Sequence, residues 1–205
     1  MCCHGDNRDL TQFLPLPDPP NQGQTVFPAK LNVDGWRTWS DGLLDELTDQ
    51  IAGTPLFSVL QGILEDTLDN GIHLAVFVQA YLGFVLEGKK TIDSRFGVNR
   101  NSPFQQVKNG DLLILKESSG PICGVCVISH AWYYHLNPAS WSEIEKYASA
   151  LCMDDSHFWV KKRSACFATL MRLENVIRLR DISVQKLDPR GWVVLKNVKT
   201  QRSLL

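Results

Sequence analysis

Between residues 40 and 70 the apolar positions recur at helical spacing. Leu43, Leu44, Leu47 and Ile51 fall at i, i+1, i+4 and i+8, one face of a helix, with Ser40 placed as its N-cap. Gly53-Thr54-Pro55 interrupts the run; Thr54 can cap, and Pro55 suits a first helical position. A second helix is predicted with Leu56, Val59, Leu60, Ile63, Leu64 and Leu68 on one side, closed by Asn70-Gly71. The two form a hairpin whose apolar faces need a surface to cover.

After Gly71 the spacing changes to that of strands. His73 to Phe77 reads as a short buried strand, and Gln79 to Glu87 as a helix ended by Gly88. Thr91–Phe96, Asp111–Lys116, Ile122–Tyr134, Phe167–Ile177 and Trp192–Lys196 are rich in β-branched and aromatic residues and are predicted strands. Ser140 to Leu151 is a predicted helix, capped by Ser140 with Glu143 completing a capping box, and a helical turn is expected within residues 154–160. Strands outnumber helices, and no regular strand–helix alternation appears. The pattern points to an α+β fold, a partly open β-barrel with peripheral helices and an N-terminal helical extension.

Residues 1–28 are rich in Pro, Asn, Gln, Asp and Gly, and include Pro15-Leu16-Pro17-Asp18-Pro19-Pro20. Such a stretch buries too little surface to offset its ordering entropy. Three parts are expected: a flexible tail over 1–35, a helical hairpin over 36–70 packed on the barrel, and the barrel domain over 71–205.

The net charge of −1 conceals a division. Residues 1–70 hold 3 Lys and Arg against 11 Asp and Glu, net −8; residues 71–205 hold 18 against 11, net +7. The basic part is the one that attracts phosphate, and the acidic part could compete with nucleic acid for it. No apolar run approaches the length of a membrane span, and the N-terminus has neither a basic nor an apolar signal region. A cytoplasmic location is expected, with the six cysteines as reduced thiols. Cys123-Gly124-Val125-Cys126 matches C-x-x-C but lies inside a strand-like run rather than at a helix N-terminus, and Cys2-Cys3-His4 has no second ligand pair. His73, His130, His135 and His157 are scattered. No cofactor and no metal site are expected. The chain lacks G-x-S-x-G, a phosphate-cradling glycine loop and H-E-x-x-H.

Gly88-Lys89-Lys90-Thr91-Ile92-Asp93-Ser94-Arg95 is the most informative stretch. Gly88 lets the helix stop in a left-handed turn, which leaves Lys89 and Lys90 at its carbonyl end. Asp93 and Arg95 alternate onto one strand face, roughly 7 Å apart by strand rise. The carboxylate and guanidinium could bind a base edge and a phosphate, or form an exposed ion pair contributing under about 1 kcal/mol.

This stretch resembles the signature G-x-K-x-x-E-x-R of the ASCH family of presumed RNA-binding proteins, matching at Gly88, Lys90 and Arg95, with Asp93 in place of the glutamate. Asn109-Gly110-Asp111 before its strand resembles that family's GD turn. Phe167 to Leu170 and Asp188 to Leu195 resemble the close of a bacterial subgroup. The resemblance covers roughly Ile72 to Val198. It implies a PUA-like barrel with a cleft lined by the signature residues and suited to single-stranded RNA or a modified nucleobase. It also implies an alternative, hydrolysis. Some relatives are ribonucleases; others are amidohydrolases on acylated nucleosides that use a lysine, a threonine and a glutamate. Lys90 matches that lysine, whereas Asp93 stands at the threonine position. Lys90 and Asp93 would then be the catalytic residues, Asp93 as base and Lys90 as electrostatic stabiliser.

Beyond the signature, Arg100 and Lys116 would widen its positive field. Trp132-Tyr133-Tyr134 alternates faces, so one face or the other would meet the cleft, with Tyr133 as candidate. Phe158-Trp159 precedes Lys161-Lys162-Arg163, and aromatics beside cations suit single strands; Trp159 and Lys162 are the candidates. The expected nucleic-acid contacts are therefore Lys89, Lys90, Asp93, Arg95, Arg100, Lys116, Tyr133, Trp159 and Lys162. Trp192 is read as a core residue that closes the barrel.

Overall fold

A computed structural model describes residues 33–153, 156–184 and 190–197. The expected tail lies outside these residues apart from its last three, as do Cys2, Cys3 and His4. Helices α1 (Val33–Ile51) and α2 (Pro55–Leu64) come first, followed by β1 (Ile72–Phe77) and α3 (Gln79–Leu86). Next are β2 (Ile92–Gly97), β3 (Leu112–Glu117), β4 (Ile122–His135), α4 (Pro138–Glu145), α5 (Ala148–Leu151) and α6 (Ser156–Lys162). The long β5 (Phe167–Ile182) and the short β6 (Trp192–Lys196) complete the order.

The strands form one six-stranded sheet in the order β2-β5-β4-β3-β1-β6. Only β1 and β3 run parallel; every other neighbouring pair is antiparallel. The register slips at three places between β4 and β5, and Asn175 takes a left-handed φ of +53° in β5. Such irregularities bend a ladder and increase its twist. The result is the α+β fold implied by the sequence, a curled half-barrel sheet with helices at its margins.

Side chains alternate across the sheet and build a separate core on each side. Leu43, Leu47 and Ile51 of α1 and Leu56, Leu60 and Ile63 of α2 pack on Ile72, Leu74, Leu112 and Ile114. Phe77, Leu113, Leu115, Cys126 and Met171 line the inner side with Leu82 and Val85 of α3. A third cluster lies under α4 and α5, around Ile144, Leu151, Ile92 and Leu170. No helix among the described residues is long and apolar enough to cross a membrane.

Two helix starts differ from expectation. α1 begins at Val33, so Ser40 lies within it; residues 33–40 contain no proline to stop the helix. α4 is capped by Asn137, whose side chain accepts from Ala139 N and Ser140 N, while Ser140 supplies the reciprocal bond of the capping box. Pro138 follows the cap, the position where its missing N–H costs nothing.

Candidate functional site

The site grows from the turn between α3 and β2. Gly88 ends α3 with φ +72°, and the N–H groups of Lys89 and Lys90 both donate to the Phe84 carbonyl at 2.9 Å. This tight closure leaves Lys89 on the surface, paired with Glu87 at 2.7 Å, and turns Lys90 inward, 2% exposed. Lys90 Nζ donates to the Leu151 carbonyl at 3.0 Å. It lies 3.8 Å from Asp93 Oδ1 and 5.6 Å from the Tyr81 ring centre. Burial pushes the Lys90 amine below the usual lysine range, against the opposing pull of Asp93.

Asp93 and Arg95 share a face of β2. Arg95 Nε donates to Asp93 Oδ2 at 2.8 Å, and Nη1 donates to the carbonyls of Val76 and Gly191, each at 3.2 Å. The guanidinium carbon lies 5.0 Å from the ring centre of Phe77 and 5.5 Å from that of Trp192. β2 and β6 are the two edges of the sheet, and Gly191 leads into β6. Arg95 therefore spans the gap left open by the backbone ladder. It closes the half-barrel with a side chain.

A cavity of about 370 Å³ opens at this clasp. Lys90, Asp93 and Arg95 line it together with Tyr81, Phe96, Phe158, Lys162 and Trp192. Arg95 Nη2 makes no hydrogen bond among the described residues, so the floor offers donors from Arg95 and Lys90 beside the Asp93 acceptor. Such a floor can read a heterocycle edge, and the aromatic walls suit its faces.

Of the nine expected contact residues, Lys90, Asp93, Arg95 and Lys162 meet at this cavity; the other five do not line it. Lys89 is held at the surface by Glu87. Arg100 is carried past the cavity by the loop after β2 and lies 5.3 Å over the Phe167 ring. Lys116 is buried where β3 turns into β4, with Nζ donating to the Glu117 carbonyl at 3.1 Å and to that of Gly120; burial lowers its pKa. The Tyr133 hydroxyl donates to the Val107 carbonyl and accepts from Val107 N, and its ring meets Phe104 edge-on. Trp159 donates through Nε1 to the Met153 carbonyl at 3.1 Å and packs edge-on against Trp141.

Sequence reasoning missed Tyr81, Phe96 and Phe158 as walls. Phe158 and Trp159 both pack on the core under α4 and α5, but neighbours on a helix point about 100° apart, and of the two Phe158 also lines the cavity. Trp192 is the buried closing residue expected, 3% exposed, and lines the cavity as well.

The Asn109-Gly110-Asp111 turn is an anchor away from the cavity. Gly110 has φ +90°, and Asp111 accepts from Gly71 N at 2.7 Å, Lys108 N at 2.8 Å and His73 Nε2 at 3.0 Å. Burial alone would raise the Asp111 carboxyl. The His73 bond and the two backbone N–H groups outweigh it and hold the carboxyl below its ordinary range. Cys123 and Cys126 are buried free thiols, both pushed up by burial. Among the described residues, no group of three or more His, Cys, Asp or Glu side chains could hold a metal ion.

No protein-family model matches the chain, and no curated protein matches it. Among solved structures it is similar to ASCH from Zymomonas mobilis, with 14% identity over 62% of this chain and 88% of that one and a TM-score of 0.49. Two single-substitution variants of that protein are similar at 12% and 11% identity. They match over 65% and 64% of this chain and 94% and 95% of theirs, with TM-scores of 0.46 and 0.45. The family of these structures, ASCH, is the one whose signature residues 88–95 of this chain resemble.

Proposed function

We propose that this chain is a PUA-like module that binds single-stranded RNA or a modified nucleobase, with one base held in the cavity at Lys90, Asp93 and Arg95. The observation that carries the reading is the meeting of donors, an acceptor and aromatic rings on one open cavity of about 370 Å³, a size ordinary for small-ligand sites. An unstacked base has a π face and a hydrogen-bonding edge, and stacking on protein aromatics contributes about 1–3 kcal/mol per base. Lys162 supplies charge at the wall, 5.6 Å over the Phe158 ring.

Fluorescence polarisation with short single-stranded RNA tests the proposal. Binding is expected to weaken with salt, at a log–log slope of roughly −0.7 for each phosphate neutralised. Lys162→Ala is expected to weaken it several-fold, and Lys146→Ala, exposed just past α4, to leave it unchanged. An undetectable or salt-independent interaction removes the proposal.

One observation favours a hydrolase as the second reading. Burial lowers the Lys90 amine and sets it 3.8 Å from Asp93, so an acid and a base face the same cavity. Labelled RNA and acylated cytidines, incubated with stoichiometric protein, would give product that Lys90→Met abolishes while circular dichroism shows the fold retained; Lys90 is buried, so some loss of melting temperature is expected. Absence of product from the wild-type chain removes this reading.

A further inference from the structure

We infer that the ligand is a nucleotide rather than a bare nucleobase, with its phosphate seated in an annex of the cleft beside Thr169. The inference rests on the base-binding reading above and deepens it. A second cavity of about 140 Å³ shares Arg95, Phe96 and Ser102 with the first and continues beneath the loop after β2. By the usual span of ligand cavities, roughly 300–1,000 Å³, it is too small for a second heterocycle. Its size suits a compact group.

The chemistry of the lining selects that group. The polar residues are Arg95, Asn99, Asn101, Ser102 and Thr169, and no carboxylate lines the annex. Thr169 stands directly across the β2–β5 ladder from Arg95. It is 1% exposed, and its hydroxyl makes no hydrogen bond among the described residues. Unlike the fully buried unpartnered Ser129 hydroxyl, that of Thr169 keeps a trace of accessible surface, and the space Thr169 lines is the annex, where a hydroxyl without a protein partner can bond a ligand oxygen.

Arg95 is poised for the same ligand. Three of its five N–H groups are taken by Asp93, Val76 and Gly191, and the Phe77 and Trp192 rings flank its plane. The two N–H groups of Nη2 remain in a fixed orientation, which is the pre-organisation that makes arginine suited to phosphate. Arg100 does not line the annex itself but lies 5.3 Å over the Phe167 ring that does, a second cation behind that wall. A base in the main cavity and a phosphate in the annex would then both lie against Arg95, which lines the two cavities.

The test is calorimetric titration of the full chain with the four ribonucleosides, their 3′- and 5′-monophosphates and inorganic phosphate. At least one monophosphate is expected to bind at least about tenfold more tightly than its nucleoside, a gap of about 1.4 kcal/mol. Thr169→Val and Arg100→Gln are each expected to shrink that ratio at least about threefold and to leave nucleoside affinity unchanged. Thr169→Val removes a hydroxyl that has no partner, so its melting temperature should not fall; Arg100 is exposed, so its replacement should not disturb the fold. Equal binding of nucleoside and monophosphate, or a ratio that survives both substitutions, overturns the annex and leaves the nucleobase reading standing. Binding of none of the nucleosides or nucleotides, or of inorganic phosphate alone, overturns both.

Discussion

Arg95 commits three of its five N–H groups to protein atoms on β2, on β1 and just before β6, and this commitment fixes what the residue can do. Lysine keeps the charge but cannot bridge three acceptors that lie around one plane. Arg95→Lys should therefore leave Asp93, 4% exposed, with a poorer partner and loosen the barrel edge. A loss of about 1–2 kcal/mol is expected in urea unfolding, the scale for weakened hydrogen bonds to a charged group; an unchanged midpoint would contradict the clasp. The two-residue spacing of Asp93 and Arg95 revealed their shared face. It could not reveal that the guanidinium reaches the opposite sheet edge, because that depends on where β6 arrives. Asp111 makes a second prediction. Its carboxyl is held below its unfolded value of about 3.9. The stability it contributes is present above that value and is lost as pH falls through the folded pKa. Asp111→Asn should melt earlier than wild type at pH 7 and show a smaller further loss on acidification below about pH 4. Parallel acid limbs in the two proteins would rule this out.

Among the elements, α3 and its closing turn deliver Lys90, and two glycines probe how tightly α3 is seated. A Cβ on Gly124 of β4 would meet Leu86 Cδ2 at 2.8 Å, Leu115 Cδ1 at 3.1 Å and the Ile177 carbonyl at 3.2 Å. Gly124→Ala should push the end of α3 outward, cost about 1–3 kcal/mol in stability and weaken ligand binding through Lys90. Gly83 in the middle of α3 has nothing within 4 Å of its would-be Cβ. Gly83→Ala should stabilise by about 0.5–1 kcal/mol through helix propensity. Thermal melts of the two variants check both signs, and a stabilised Gly124→Ala would show that the contact has slack. The existence of α3, the stop at Gly88 and the core strands were legible because periodicity and a left-handed glycine are local signals. The start of α4 was less so. Ser140 and Asn137 both cap well, and the choice fell to the residue followed by proline.

At the scale of the whole molecule, the alternation of apolar positions and the lack of a regular strand–helix repeat made a curled α+β sheet readable. The lining of its cleft was not, because it is assembled from β1, α3, β2, α6 and the entry to β6, segments far apart in sequence. Lys116 shows the difficulty: a lysine on a core strand invites a reading as part of a basic field, yet carbonyls at the turn after β3 occupy it. Amide chemical-shift mapping during titration with short single-stranded RNA reads the occupancy of the cleft residue by residue. A base seated at Lys90, Asp93 and Arg95 gives saturable shifts concentrated at residues 76–81, 90–96 and 191–192. Shifts centred on the α1–α2 face or on the turn at residues 117–121, or none at all, would contradict that seating.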